Sequence, residues 1–427
     1  MNRPAAFLGV DLGTSGCRGI AVDGAGKVIA ERHVALPPSQ REDKGGSTQQ
    51  PEDWWQAVST VLRALASQLT AYHPAVLAID GTSASLLLTD ALGRPLTPAL
   101  MYDDSRARAQ AARLADSAPA DSAVHSASSS LAKLLWLQQK LPTGAAHALH
   151  QAEWVADRLT GRWGVGDENN CLKLGYDPLS ASWPEWLARL PVDTRLLPKV
   201  LPAGQPLGSL LPALAQDLGL PMQLQVVTGT TDSIAAALAC GLTEPGDGAT
   251  ALGSTLAIKL LSPLPVFAPQ YGIYSHRILG NWLVGGASNS GGAVLRQFFS
   301  ETEMAELEDQ LDPAQPTGLD YYPLPRPGER FPLNDPTLQP RLTPRPAQAA
   351  VFFQGLLEGI AAIEAAGYRR LAELGAPPLR RVFSTGGGAK NKPWREIRQG
   401  LLGVPVTTAA QGQAAYGAAL LARQAAD

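Results

Sequence analysis

Short apolar runs of strand length and longer stretches with helical spacing succeed one another along the whole chain. "FLGVDLG", "CRGIAVD" and "KVIAERHVAL" predict a three-stranded meander, with the "DGAG" of residues 23–26 as a hairpin turn. "PEDWWQAVSTVLRALASQLTAY" predicts a helix, because Pro51 and two acids open it and its apolar residues then recur at helical spacing. "AVLAIDGTSASLLLTDALGRPL" predicts a buried strand ending at Asp80, a Gly-Thr-Ser turn and a second strand, the same design as the opening.

The middle is less regular. "SSSLAKLLWLQQK" and "AEWVADRLTG" read as helices, the first capped by residues 128–130 and the second stopped by Gly161. "LPAGQPLGSLLPALAQDLGLP" reads as a Pro/Gly-punctuated interdomain link with one short helix. "LQVVTGTTDSIAAALACG" then predicts a strand, a small-residue turn and an Ala-rich helix. A second meander follows in "GATALGSTLAIKLL", "YGIYSHRI" and "NWLVGGAS". The last third holds a long helix stopped by Gly375, the segment "RRVFSTGGGAKNKPWREIRQG" as strand, glycine turn and helix, and a small-residue helix at the end. Two hairpins of one design, near residues 13 and 254, each open a half of the chain, which signals internal duplication.

With 427 residues, of which 45% are hydrophobic and 17% charged, the chain has material for two cored domains. A net charge of -3 with no dense Lys/Arg run leaves nucleic acid without a footprint. Cys17, Cys171 and Cys240 lack disulfide or zinc spacing, and the six histidines show no metal spacing. No signal-like segment and no window near ~18 apolar residues is evident, so a soluble, cytoplasmic protein without membrane contact is expected.

The candidate chemistry sits in the turns. Gly13, Thr14, Ser15 and Gly16 carry little bulk, so their backbone N–H groups can converge on an anion, phosphate above all. Asp11 beside them either caps the turn or positions Mg²⁺ held partly by phosphate and water. Gly253, Ser254 and Thr255 repeat the design. Asp232, at the start of a helix in a polar setting of Thr230, Thr231 and Ser233, is either a helix cap or a general base for a substrate hydroxyl attacking a γ-phosphoryl group. Gly386, Gly387 and Gly388 at a strand end form a flexible loop or admit a purine nucleoside; Asn391 could then bond it, and Trp394 is either core or a face for the adenine. Ser83, with Tyr102, Asp103, Asp104 and Arg106, lines either a polyol site or solvated loops.

Taken in order, "GVDLGTSGCR", "AIDGTSASLLLTDALGRPL", "GTTDSIAAALACG", "GATALGSTLAIKL", "GGASNSGGAVLRQFF" and "STGGGAKNKPWREI" resemble the FGGY family of carbohydrate kinases over nearly the whole chain. The resemblance implies an α/β protein of two actin-like (ribonuclease H-like) domains with a cleft between them: residues 1–240 with the C-terminal helix 413–427 for sugar, and 241–412 for nucleotide. It implies Asp11, Thr14 and Ser15 as the first phosphate motif with Asp11 near Mg²⁺, and Gly253, Ser254 and Thr255 as the second. Asp232 matches the catalytic base, and Gly386, Gly387, Gly388 and Asn391 match the adenosine motif. "KLGYDP", "GLDYYPLPRPGERFP" and "SSSLAKLLW" are most similar to the compact kinases of cyanobacteria and plants that phosphorylate D-ribulose. Gln413 departs from the acid of many members, and the longer insertions of typical xylulokinases are missing.

The expected reaction is ATP- and Mg²⁺-dependent phosphorylation of the terminal hydroxyl of D-ribulose, or alternatively of D-xylulose, bound by Asp11, Ser83 and Asp232 in a monomer or homodimer. An actin-like ATPase and a sugar sensor without turnover are the rivals. Sugar-independent hydrolysis would mark the first, and binding without ADP release the second.

Overall fold

The computed structural model describes residues 3–140 and 142–426. The chain divides into two compact units, Met1–Ala239 with Arg277–Leu279 and Gln413–Asp427, and Cys240–His276 with Gly280–Gly412.

The first unit is built on the predicted meander. Strands β1 (Ala5–Leu12), β2 (Gly16–Val22) and β3 (Val28–Ala35) pair antiparallel. Helix α1 (Pro51–Gln68) packs against the sheet, and its Trp54, Val58, Val61, Leu62 and Leu65 enter the core, each worth about 1.5–3 kcal/mol of burial. Strand β4 (His73–Gly81) then lies parallel to β1. The expected partner strand β5 (Leu86–Thr89) does not fold back on β4; it joins a separate five-stranded sheet. The turn between them is turned away by Ala84, whose φ is 69°.

Helix α2 (Ser130–Leu137) is capped by the Ser129 hydroxyl, and α3 (Gln151–Thr160) ends where Gly161 takes a left-handed conformation. The segment read as an interdomain link is instead part of this unit. Its residues form strand β6 (Pro206–Ser209), which pairs with β7 (Gln225–Val227), and the short helix Pro212–Leu218 buries Ala215 and Leu218 in the same core. Short apolar stretches between Pro and Gly look like linker until sheet pairing satisfies their backbone. The sheet runs β6-β7-β4-β1-β2-β3. Helix α4 (Asp232–Ala239) follows it, and the C-terminal helix (Ala414–Gln424) packs against α4 and β1. That approach requires Gly417, since a Cβ there would lie 1.8 Å from the Ala235 carbonyl oxygen.

The second unit repeats the plan. Strands β8 (Asp247–Leu252) and β9 (Leu256–Ser262) form the hairpin, and β10 (Tyr274–Ile278) and β11 (Asn281–Ser288) follow. β9 pairs with β11, and β10 is the outer edge strand rather than the middle member expected from its place in the chain. Helix α5 (Ala349–Glu373) precedes β12 (Arg381–Thr385), α6 (Lys392–Leu402) and β13 (Val406–Thr408), giving the order β10-β11-β9-β8-β12-β13. Both units thus set an antiparallel meander beside parallel strands: β3-β2-β1-β4-β7 in the first and β11-β9-β8-β12-β13 in the second. This is the duplication that the two hairpins signalled.

By length and a mean hydropathy of 1.4, α5 is apolar enough to cross a membrane, contrary to the expectation that no stretch of the chain approaches such a window. Its Phe352, Phe353, Leu356, Leu357 and Ile360 are core of the second unit. A bidentate ion pair from Arg398 of α6 to Glu364 of α5, 2.6 and 2.7 Å, is wholly buried, and Glu364 also accepts from Thr250 of β8.

Candidate active site

In the first unit, sheet register does what linear sequence could not. Asp11 stands beside Arg18 on β2 and beside Asp80 on β4, and Thr230 follows as the next neighbour of Asp80. Asp232 comes two residues later, at the first turn of α4. Strand ends are where side chains leave the sheet without leaving the scaffold, so these acids are held on rigid elements.

Asp80 was not among the expected site residues. It is fully buried, and among the described residues neither of its carboxylate oxygens meets a donor. The group that its carboxyl does reach is that of Asp11, so either a proton or a cation has to lie between two such oxygens. Burial, then the Asp11 charge, pushes Asp80 well above the usual carboxylate range. Burial also raises Asp11, against the opposing pull of Asp80, Arg18 and His33. For Asp232, burial and the Asp11 charge push the carboxyl up to about 6, while the Ser233 N–H and Lys173 act in the other direction. The signal for Asp80 was present in "DGTS", which repeats the acid-turn pattern of "DLGTS", but its partner strand was not assignable from the chain alone.

The turn at residues 13–15 is tied from behind. Gln49 Nε2 donates to the Thr14 carbonyl at 2.8 Å, and Leu36 N donates to that of Ser15 at 2.9 Å. Among the described residues, nothing accepts from the amides of Thr14 and Ser15, so both remain free for an anion. Arg18 donates to the neutral Gln413 amide oxygen at 2.7 Å.

The Ser83 turn is held in the same manner. Gln151 Oε1 accepts from the Thr82 N–H and hydroxyl, and Thr82 bonds Ser85. Ser83, half-buried, has a hydroxyl that no other described residue engages. The loop of Tyr102 and Asp103 is tied only in part, since Asp103 Oδ1 is buried without a partner among the described residues. Asp103 is paired with Arg41. Asp104 is fully buried and not solvated, accepting from Ser47 N at 2.7 Å and from Arg106.

In the second unit, the turn at residues 253–255 is tied by the loop after β11: Gly292 N reaches the Gly253 carbonyl and Ala293 N that of Ser254, at 2.9 and 3.0 Å. Arg296 donates to the Ser254 hydroxyl at 2.7 Å, placing at the turn a cation that its distance along the chain conceals. Gly386 adopts φ 83° with the Leu252 carbonyl oxygen 2.5 Å from where a Cβ would be, so no other residue fits there. Asn391 caps α6 through Oδ1, which accepts from Trp394 N at 2.7 Å, and its amide nitrogen has no partner among the described residues. Trp394 does not present a face to a ligand. It is 3% exposed, its indole N–H donates to the Leu357 carbonyl, and its ring edge backs Gly388. It is core, because the apolar spacing of α6 turns it inward.

A second buried polar cluster gathers ligand-type atoms of His150, Glu153 and Cys171 within 4.8 Å of one another, despite their irregular spacing in the chain. Glu153 accepts from His150 at 2.7 Å and from Cys171 at 3.4 Å, and His150 also bonds Ser130. The cluster is a hydrogen-bonded network that anchors the start of α3.

Family models for the FGGY carbohydrate kinases match in order, the N-terminal domain over residues 6–239 and the C-terminal domain over 246–426. This chain belongs to the FGGY family. The kinase is 27% identical to the xylulose kinase of Escherichia coli strain K12, over 99% of this chain and 90% of that one. It is 22% identical to the gluconokinase of Bacillus subtilis strain 168, over 92% and 82% of the two. In fold it matches a ligand-bound xylulose kinase from Lactobacillus acidophilus (TM-score 0.86, 21% identity, 99% of this chain and 89% of that one). It also matches a Plasmodium falciparum glycerol kinase with ADP (TM-score 0.85, 15% identity, 100% and 90%). The kinase has the actin-like, ribonuclease H-like fold expected from its sequence, and as a member of this family it transfers phosphate from ATP to an alcohol oxygen of a small sugar-like substrate.

Proposed function

We propose that the kinase phosphorylates a ketopentose at its terminal hydroxyl, with Asp232 as the general base. The observation that carries this reading is Asp232 itself: an acid on a rigid helix start, raised to about 6, ionised at neutral pH yet basic enough to accept a proton. The ketose hydroxyl attacks the γ-phosphorus of ATP, the P–O bond to ADP breaks, and the hydroxyl proton passes to Asp232 Oδ. Ser83, with its unengaged hydroxyl, is the candidate partner for a sugar hydroxyl, and Asp11 is a further sugar-side candidate.

Mg²⁺ fits the residues present. Asp11 lies beside free turn amides and is backed by an orphaned, buried carboxylate, an arrangement that wants positive charge. Bound there, the ion would neutralise charge on the transferred phosphoryl group. The Thr14 and Ser15 amides, and the turn of Gly253, Ser254 and Thr255 with Arg296, orient the phosphates; Gly386, Gly387, Gly388 and Asn391 receive the adenosine.

D-ribulose is the first candidate, on the strength of the "KLGYDP" and "SSSLAKLLW" segments. D-xylulose is the second, because xylulose kinases recur among the curated relatives at 22–28% identity. The deciding experiment is ADP release from purified protein with Mg·ATP against D-ribulose, D-xylulose, gluconate, glycerol and other polyols. Stimulation by a ketopentose supports the reading. Stimulation only by gluconate or glycerol removes it, and sugar-independent hydrolysis replaces it with an ATPase.

A further inference from the structure

Lys133 is fully buried in the first turn of α2, a costly place for an amine on two counts. Burial strips its hydration, and the helix N-terminus disfavours positive charge. Its Nζ makes two short bonds, to the Ala84 carbonyl at 2.7 Å and to the Met101 carbonyl at 2.6 Å. Two N–H groups for two carbonyls is a match that an ammonium and a neutral amine satisfy alike.

The two carbonyls belong to different segments. Ala84 follows Ser83 directly and holds φ 69°, a left-handed conformation that an L-residue adopts only where its surroundings impose it. Met101 opens the segment of Tyr102, Asp103 and Asp104. Among the described residues, the Ser83 turn is otherwise tied only through Thr82 and Ser85, on the side of Gln151. The amine therefore sets where the turn stands on the Ser83–Ala84 side.

We propose that Lys133 is a positioning residue for sugar binding: by pinning the carbonyls of Ala84 and Met101 it holds the Ser83 hydroxyl where a sugar hydroxyl can meet it. This rests on the reading above that Ser83 contacts the sugar. Lys133 does not touch the sugar itself, since it has no exposed surface.

The test is steady-state kinetics, with melting curves, on K133M, K133Q, S83A and the K133M/S83A double variant, using whichever of D-ribulose and D-xylulose the wild type turns over faster. Methionine keeps the length and removes the donors; glutamine restores two N–H groups. K133M should raise the ketose KM about tenfold with the ATP KM unchanged. K133Q should recover most of that loss, and the double variant should be no worse than the poorer single one, because both act through one contact. A84G supplies a variant that folds even if K133M does not: it removes the need for the imposed conformation, and should raise the ketose KM several-fold without lowering the melting temperature.

A ketose KM unchanged in S83A removes the sugar from this turn, and the proposal with it. A raised KM in S83A beside an unchanged one in K133M, or in A84G where K133M does not fold, overturns the proposal alone. Ketose and ATP KM values rising together in K133M, in step with a lower melting temperature, would make Lys133 merely structural and overturn it as well.

Discussion

Partial burial, and then the nearby Asp11 charge, push the Asp232 carboxyl from its ordinary value of 3.8 up to about 6. A base must be ionised to act, so kcat/KM for the sugar should fall on the acid side with an apparent pKa of about 6. With that value, roughly nine-tenths of the enzyme is competent at pH 7 and about one-eleventh at pH 5, a drop near tenfold; an aspartate at the ordinary value would lose almost nothing over that range. The same shift has a stability cost. The folded value lies above the unfolded one, so the native state holds a proton that the unfolded chain has released between pH 3.8 and about 6, and stability falls as pH rises through that window. At 1.36 kcal/mol per unit the total is about 3 kcal/mol. Asp232→Asn should therefore lower kcat by about 10²–10⁴-fold while making the protein more resistant to urea at pH 7, and the two melting curves should converge toward pH 4. Coupled-assay rates from pH 4.5 to 8 and urea titrations at both pH values measure this. An acid limb near 4, or a variant that keeps its turnover, would refute the base assignment; a variant less stable than the wild type at pH 7 would refute the account of its burial.

Asp80→Asn gives the Asp11 carboxylate an N–H donor in place of a competing acid, so it should raise stability at pH 7 and weaken Mn²⁺ binding, read by the electron paramagnetic resonance of free Mn²⁺; unchanged Mn²⁺ affinity would separate Asp80 from the metal. Arg296→Ala removes the cation from the Ser254 turn, and the KM for ATP should rise about tenfold with that for the sugar unchanged, by initial rates. Trp394→Phe removes the indole bond to Leu357 from the core and should cost about 1–3 kcal/mol in chemical denaturation while leaving the ATP KM alone; a raised ATP KM at unaltered stability would return Trp394 to the nucleotide site.

Much of this kinase is legible along the chain, for local reasons. A turn that must expose backbone N–H groups has to use small residues, so 13–16, 253–255 and 386–388 stand out wherever they occur. Alternating apolar runs identify the meanders, and Pro51, Gly161 and the serines before residue 131 mark helix ends because capping depends on the nearest few residues. Asp11 and Asp232 could be singled out for the same reason: each sits in a turn or helix start whose character is local.

What the tertiary structure decided is whatever depends on which strand lies beside which. Asp80 becomes an orphaned carboxyl only because β4 pairs with β1 in the register that puts it against Asp11, across nearly seventy residues of chain. Arg296 reaches Ser254 only because the loop after β11 closes behind the β8–β9 turn. The inward turn of Trp394, the burial of Asp104 and the clamp of Lys133 on two separate loops are likewise packing outcomes. A pattern of residues states which groups prefer burial, but only the assembled core assigns each its partners, and in this kinase the perturbed acids and the held turns follow from those partners.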